Sequence, residues 1–84
     1  MGDATILVVD DESRMRKLIK DFLIQKNYNI LEAEDGEKAL KAYEENKEKI
    51  DLILLDVMMP KLDGWSVLRN IRQENKKLPI VMLT

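Results

Sequence analysis

Two stretches carry side chains that could do chemistry together. In "TILVVDDES" (Thr5–Ser13) the acids Asp10, Asp11 and Glu12 follow an apolar run, and in "IDLILLDVMMPKLDGW" (Ile50–Trp65) a single carboxylate, Asp56, interrupts one just before the chain breaks at Pro60. Carboxylates brought close together repel, and burial sharpens the repulsion, so such a group either binds protons or holds a cation. Oxygen ligands favour a hard divalent ion, and Mg2+ held by one or two carboxylates, waters and a phosphate suits this set. A carboxylate left over can attack phosphorus to give an aspartyl phosphate. Asp56, at the end of the most apolar run, is the candidate nucleophile. The competing reading is structural, since acids and serine ahead of a helix are commonly N-caps or dipole partners, and Asp11, Glu12 and Ser13 fit that description too.

Composition narrows the alternatives. The 84 residues contain no cysteine and no histidine, which excludes disulfides, thiolate or imidazole metal sites and any histidine base. The formal net charge of -2 gives no overall field that would draw the chain to nucleic acid or anionic lipid. The first apolar run has no basic residues before it and is too short for a signal peptide or a membrane span, so a cytoplasmic location with no membrane partner is expected. A magnesium phosphohydrolase would want an Asp-x-Asp signature after its first strand, and "VVDDES" offers adjacent acids instead.

The elements that must position the acids follow from periodicity. "TILVVD" (Thr5–Asp10) is a continuous, partly β-branched apolar run, the pattern of a parallel strand buried on both faces. From Ser13 to Lys26, Met15, Leu18, Ile19, Phe22 and Leu23 recur at i, i+3, i+4, i+7, i+8, one stripe of an amphipathic helix. A strand over Tyr28–Ala33 and a turn at Glu34–Gly36 lead to a second helix with Ala39, Leu40 and Tyr43 inward, and "EENKEK" (Glu44–Lys49) reads as its solvated end. "IDLILLDV" (Ile50–Val57) is the third strand. Gly64–Asn75 is a third helix with Trp65, Leu68 and Ile71 in contact spacing, and Leu78–Thr84 begins a fourth strand. Trp65 is expected to pack on the sheet edge.

Strands alternating with helices imply an α/β fold with a parallel sheet and right-handed crossovers. Ligands in such sheets bind beyond the carboxyl ends of the strands, where strand order reverses. If the second strand pairs on one side of the first and the third on the other, both acidic strand ends meet in that crevice.

The motifs "ILVVDDE", "LILLDVMMPKLDGW" and "PIVMLT" together resemble the receiver domain of two-component response regulators, over the whole of residues 1–84. The resemblance implies a flavodoxin-like (CheY-like) doubly wound sheet of order 2-1-3-4, with Asp56 as the phosphoacceptor attacked by the phosphohistidine of a sensor histidine kinase. It also implies Mg2+ held by Asp11, Asp56 and the Met58 backbone carbonyl, with Asp10 helping through water, and Thr84 as the switch hydroxyl. Pro60 and Gly64 match the turn after the third strand, where glycine permits a backbone path that other residues resist. Arg14, Arg16 and Lys17 beside the stripe of the first helix resemble the family's kinase-docking surface.

The family's fifth strand, with its lysine and aromatic switch residue, and its last two helices have no counterpart here, and Lys76 and Lys77 lie at the wrong end of the fourth strand to substitute. The expectation is a C-terminally truncated receiver, impaired as a phosphoacceptor, binding no nucleic acid itself and self-associating as a homodimer through the exposed edge of the fourth strand. Whether it catalyses its own phosphorylation stays open. The alternative is a non-catalytic, self-associating fragment that retains only the metal site.

Overall fold

A computed structural model describes residues 3–83. Its elements run β1 (Thr5–Val9), α1 (Ser13–Gln25), β2 (Asn29–Ala33), α2 (Gly36–Asn46), β3 (Ile50–Asp56), α3 (Gly64–Glu74) and β4 (Ile80–Leu83). All strand pairs are parallel, and the order is β2-β1-β3-β4. Right-handed crossovers then dictate the layers. The step from β1 out to β2 puts α1 on one face, while the step back across β1 to β3 and on to β4 puts α2 and α3 on the other.

The core follows that division. Leu7, Val9, Ile53 and Leu55 point to one face of the sheet and form a single buried cluster with Ala39, Tyr43, Val67 and Ile71 of α2 and α3. Gly64, Val67 and Ile71 make the buried stripe of α3, at i, i+3 and i+7. Trp65 does not belong to it and does not pack on the sheet edge. It is half-exposed over a hollow lined by Val57, Met58, Met59, Pro60 and Asp63.

The α1 face is built differently. The helix expected from the stripe is present, but no residue in it is buried, and Leu18 and Phe22 are 66% and 60% exposed. An apolar stripe of this kind normally faces a core, but among the described residues nothing covers Leu18 and Phe22. Beneath the helix Ile6 and Val8 of β1 are buried and Ile19 and Leu23 of α1 are half-buried, and charged ties add to this apolar contact: Arg16 and Lys20 both reach Glu32 on β2. The helix closes cleanly, with Asn27 at φ 70° in the left-handed region and Asn27 and Tyr28 donating back to the carbonyls of Ile24 and Leu23, the pattern of a Schellman cap with asparagine at its turning residue.

Candidate functional site

Register brings the acids together. Val9 pairs with Leu55 across β1 and β3, so the next residues, Asp10 just past β1 and Asp56 closing β3, come at the same level on adjacent strands, about 4.8 Å apart in the hydrogen-bonding direction. Val9 and Leu55 face α2 and α3; by strand alternation Asp10 and Asp56 turn to the α1 side. There they line an open cleft of about 660 Å³ with Asp11, Glu12, Met15, Ile19, Met58 and Leu83. Carboxylate oxygens of Asp10, Asp11 and Asp56 all lie within 4.8 Å of one another. Asp10 is buried, Asp56 partly buried and Asp11 exposed.

Whether these acids are merely caps has a geometric answer. Asp35 and Asp63 cap α2 and α3, each accepting a backbone N–H at 2.8 Å from Lys38 and Ser66; the Ser66 amide holds the Asp63 carboxyl below the usual carboxylate range. The N-cap of α1, Glu12, makes no side-chain capping bond at all. Its N–H donates to Asp10 Oδ1 at 2.9 Å. The cap positions of the other two helices are thus filled by different aspartates, and Asp11 and Asp56 remain directed at the cleft.

Electrostatics in the cleft is that of crowded anions. Burial pushes the Asp56 carboxyl up from 3.8, the charges of Asp10 and Asp11 push it the same way, and the Met58 N–H, donating to Asp56 Oδ1 at 3.1 Å, opposes them. Among the described residues no lysine or arginine lines this cleft. Three clustered oxygen donors with no cationic partner fit a hard divalent ion such as Mg2+.

The loop after β3 is locked onto the strand end. Val57 N–H donates to the Leu83 carbonyl and Gly64 N–H to the Val57 carbonyl. Gly64 is needed for space and not for an unusual backbone angle: its φ lies outside the left-handed region, but a Cβ there would sit 2.3 Å from the Asp56 carbonyl oxygen and 2.8 Å from Val57 Cα. The one residue of this loop with a positive φ is Lys61, at 66°. Asp10, Asp11, Asp56 and Met58 therefore converge on one cleft. Thr84, the expected switch hydroxyl, lies outside the described residues.

Two residues of the site's surroundings escaped the sequence reading. Arg16, grouped with solvent-facing docking charges, instead turns inward and donates to the Asp10 carbonyl oxygen at 2.7 Å, and Glu32 on β2 holds its Nε at 3.4 Å. A pair joining a helix to a neighbouring strand has no fixed sequence spacing, so only the opposite charge signs could have hinted at it.

The profile of the response regulator receiver domain matches residues 6–84. The chain is 53% identical over 84 residues to the transcriptional regulatory protein ResD of Bacillus subtilis (strain 168), covering 99% of this chain and 33% of that protein. It thus spans about a third of the length of the curated relatives it matches. A receiver domain protein from Clostridium thermocellum superposes with a TM-score of 0.93 at 36% identity, covering 96% of this chain and 64% of that one. The Thermotoga maritima response regulator TrrA, solved in complex with Mg(2+)-BeF, superposes with a TM-score of 0.90 at 42% identity, covering 96% and 69%. No helix of the described residues is long and apolar enough to cross a membrane. A profile match over nearly the whole chain, on a parallel sheet of order 2-1-3-4 with its acids at the switch point, establishes that the chain belongs to the receiver-domain family of response regulators.

Proposed function

We propose that this chain is the phosphoacceptor module of a two-component phosphorelay, taking a phosphoryl group on Asp56 in a Mg2+-dependent reaction. The observation that carries the reading is the convergence of Asp10, Asp11 and Asp56 within 4.8 Å at the ends of adjacent parallel strands. Asp11, Asp56 and the Met58 carbonyl would hold the cation, with Asp10 assisting. Bound there, Mg2+ would offset the negative charge of the carboxylates and of the incoming phosphoryl oxygens.

An Asp56 oxygen attacks the phosphorus of a phosphohistidine, the P–N bond breaks, and its electron pair leaves on the imidazole nitrogen, which takes a proton. The chain's part is positioning. β3 fixes the nucleophile from below, Gly64 packs against its carbonyl, and the Met58 N–H orients one oxygen. A sensor histidine kinase is the donor, docking along α1 where Arg14, Lys17, Met15 and Leu18 face solvent. With no basic side chain lining the cleft among the described residues, the 84-residue polypeptide on its own is a slow acceptor.

Intact-mass spectrometry after incubation with Mg2+ and acetyl phosphate tests this. One phosphate adduct, absent in Asp56→Ala and without Mg2+, is expected. An adduct that survives Asp56→Ala refutes the assignment. A second reading rests on β4, which is the edge of the described sheet with Val81 46% exposed. In that reading the polypeptide also self-associates through this edge; a monomeric mass by light scattering at micromolar concentration refutes it.

A further inference from the structure

Arg16 lies near the start of α1, yet its side chain is only 16% exposed. Nη1 donates to the carbonyl oxygen of Asp10 at 2.7 Å, while Nε faces Glu32 Oε1 at 3.4 Å. The other oxygen of Glu32 is held by Lys20 Nζ at 3.1 Å, so Glu32 is anchored from two sides and in turn anchors the guanidinium.

The significance lies in which carbonyl is held. Asp10 follows the last residue of β1, and its N–H is the last tie to β2, donating to the Ala33 carbonyl at 3.2 Å. The Asp10 carbonyl belongs to the planar peptide that also contains the Asp11 nitrogen. Whatever fixes that oxygen fixes the plane from which the Asp11 side chain departs. Asp10 Oδ1 is already engaged by the Glu12 N–H. With Arg16 in place, the N–H, carbonyl and Oδ1 of Asp10 are all held, which fixes the direction in which its carboxylate meets a ligand.

We propose that Arg16 is a positioning residue for the acid cluster. It orients the Asp10–Asp11 peptide and thereby sets the spacing of the carboxylates for the divalent ion, a role that rests on the cation-binding reading of the same site. Simple electrostatics argues the other way: deleting a positive charge beside a cation site raises cation affinity. Loss of an outer partner that orients ligands lowers it, typically about 10–100-fold. The sign of the effect separates the two.

The test uses the whole chain with Arg16→Met, Arg16→Lys and Glu32→Gln. Mg2+ is titrated by calorimetry, and the amide exchange of Asp11 and Glu12 is followed by NMR without metal. Arg16→Met should weaken Mg2+ binding about tenfold and speed exchange of both amides, whereas Glu32→Gln, which leaves the bond to the Asp10 carbonyl possible, should change affinity less than about twofold. Affinity unchanged or raised in Arg16→Met overturns the proposal, as does an equal loss in Glu32→Gln. Should Arg16→Met fail to fold, Arg16→Lys decides: its single nitrogen replaces the two guanidinium nitrogens that reach the carbonyl and Glu32 separately, a fork that lysine does not reproduce, so affinity should fall, and wild-type affinity there also overturns the proposal. If the wild-type chain binds no Mg2+, the functional reading fails, and the exchange of the Asp11 and Glu12 amides still decides whether Arg16 orders this peptide.

Discussion

Neutralising the nucleophile should stabilise the protein when no cation is present. Asp56→Asn keeps an oxygen that can accept the Met58 N–H and removes one of three charges whose oxygens lie within 4.8 Å of one another. Two unit charges at that separation repel by about 3.5 kcal/mol at an effective dielectric constant of roughly 20. Asp11 is exposed, and its share is screened toward the roughly 1 kcal/mol of bulk water; Asp56 in the wild type also relieves part of the strain by binding protons more readily. A net gain of about 1–3 kcal/mol remains, which for a domain of this size raises Tm by about 4–8 °C per kcal/mol. Urea and thermal unfolding at neutral pH, low salt and with chelator measure it. The same experiment with millimolar Mg2+ should reverse the ranking, because a ligand stabilises only the state that binds it. A variant less stable than wild type in chelator, or one that gains as much from Mg2+ as wild type does, would refute the crowded-anion account of the site.

Other expectations follow from single contacts. Gly64→Ala places a methyl against the backbone of Asp56 and Val57, so unfolding free energy should fall by about 3 kcal/mol or more, with Mg2+ affinity falling too because the Asp56 strand end must shift. Asp63→Ala, by contrast, removes a cap at a cost of about 1 kcal/mol and leaves Mg2+ affinity unchanged; urea midpoints and calorimetry distinguish the pair. The hydroxyl of Tyr43 and the ammonium of Lys47 hold the Glu74 carboxyl below its usual 4.5. A depressed pKa contributes stability that is complete above 4.5 and is lost as pH falls through the folded-state value. Glu74→Gln should therefore flatten the acid limb of a stability-versus-pH curve, measured as urea midpoints from neutral pH downward.

What the sequence reveals of this fold, and what it conceals, divides along physical lines. β1 and β3 are legible because a strand covered on both faces reads as an unbroken apolar run, and strand ends plus chain order suffice to bring Asp10, Asp11 and Asp56 together. Boundaries drift by a residue or two: β2 starts at Asn29 rather than Tyr28, β3 ends at Asp56, α1 at Gln25 and α3 at Glu74, and β4 occupies Ile80–Leu83. The stripe of α1 reveals an apolar face but not whether anything covers it. In α3 the spacing of Trp65, Leu68 and Ile71 is compatible with an inner face, yet the helix is rotated so that Gly64 touches the Asp56 carbonyl, and that rotation buries Val67 and frees Trp65. Gly64 itself invites an explanation from backbone angle, whereas close approach is the reason.

The mode of attachment of α1 has a consequence for how the site behaves. Its counterparts α2 and α3 bury Ala39, Tyr43, Val67 and Ile71, whereas α1 buries no residue fully and adds to the half-buried Ile19 and Leu23 the ties of Arg16 and Lys20 to Glu32. Partly exposed ion pairs of this kind contribute about 0–1 kcal/mol each and weaken as salt screens them. α1 should therefore open locally before the rest of the domain, with amide exchange that is fastest among the helices and faster again at high salt. Since Arg16 ties α1 to the Asp10 carbonyl, the coupling must run in both directions. If a docked helix improves the geometry of the acid cluster, then Mg2+ bound at that cluster must favour the docked helix by the same factor. Exchange across α1 should slow on adding Mg2+ in wild type and respond much less in Arg16→Met, even at metal concentrations that saturate both. Equal slowing in the two proteins would mean that the cation stabilises α1 by screening the acids alone, without the arginine as the connection.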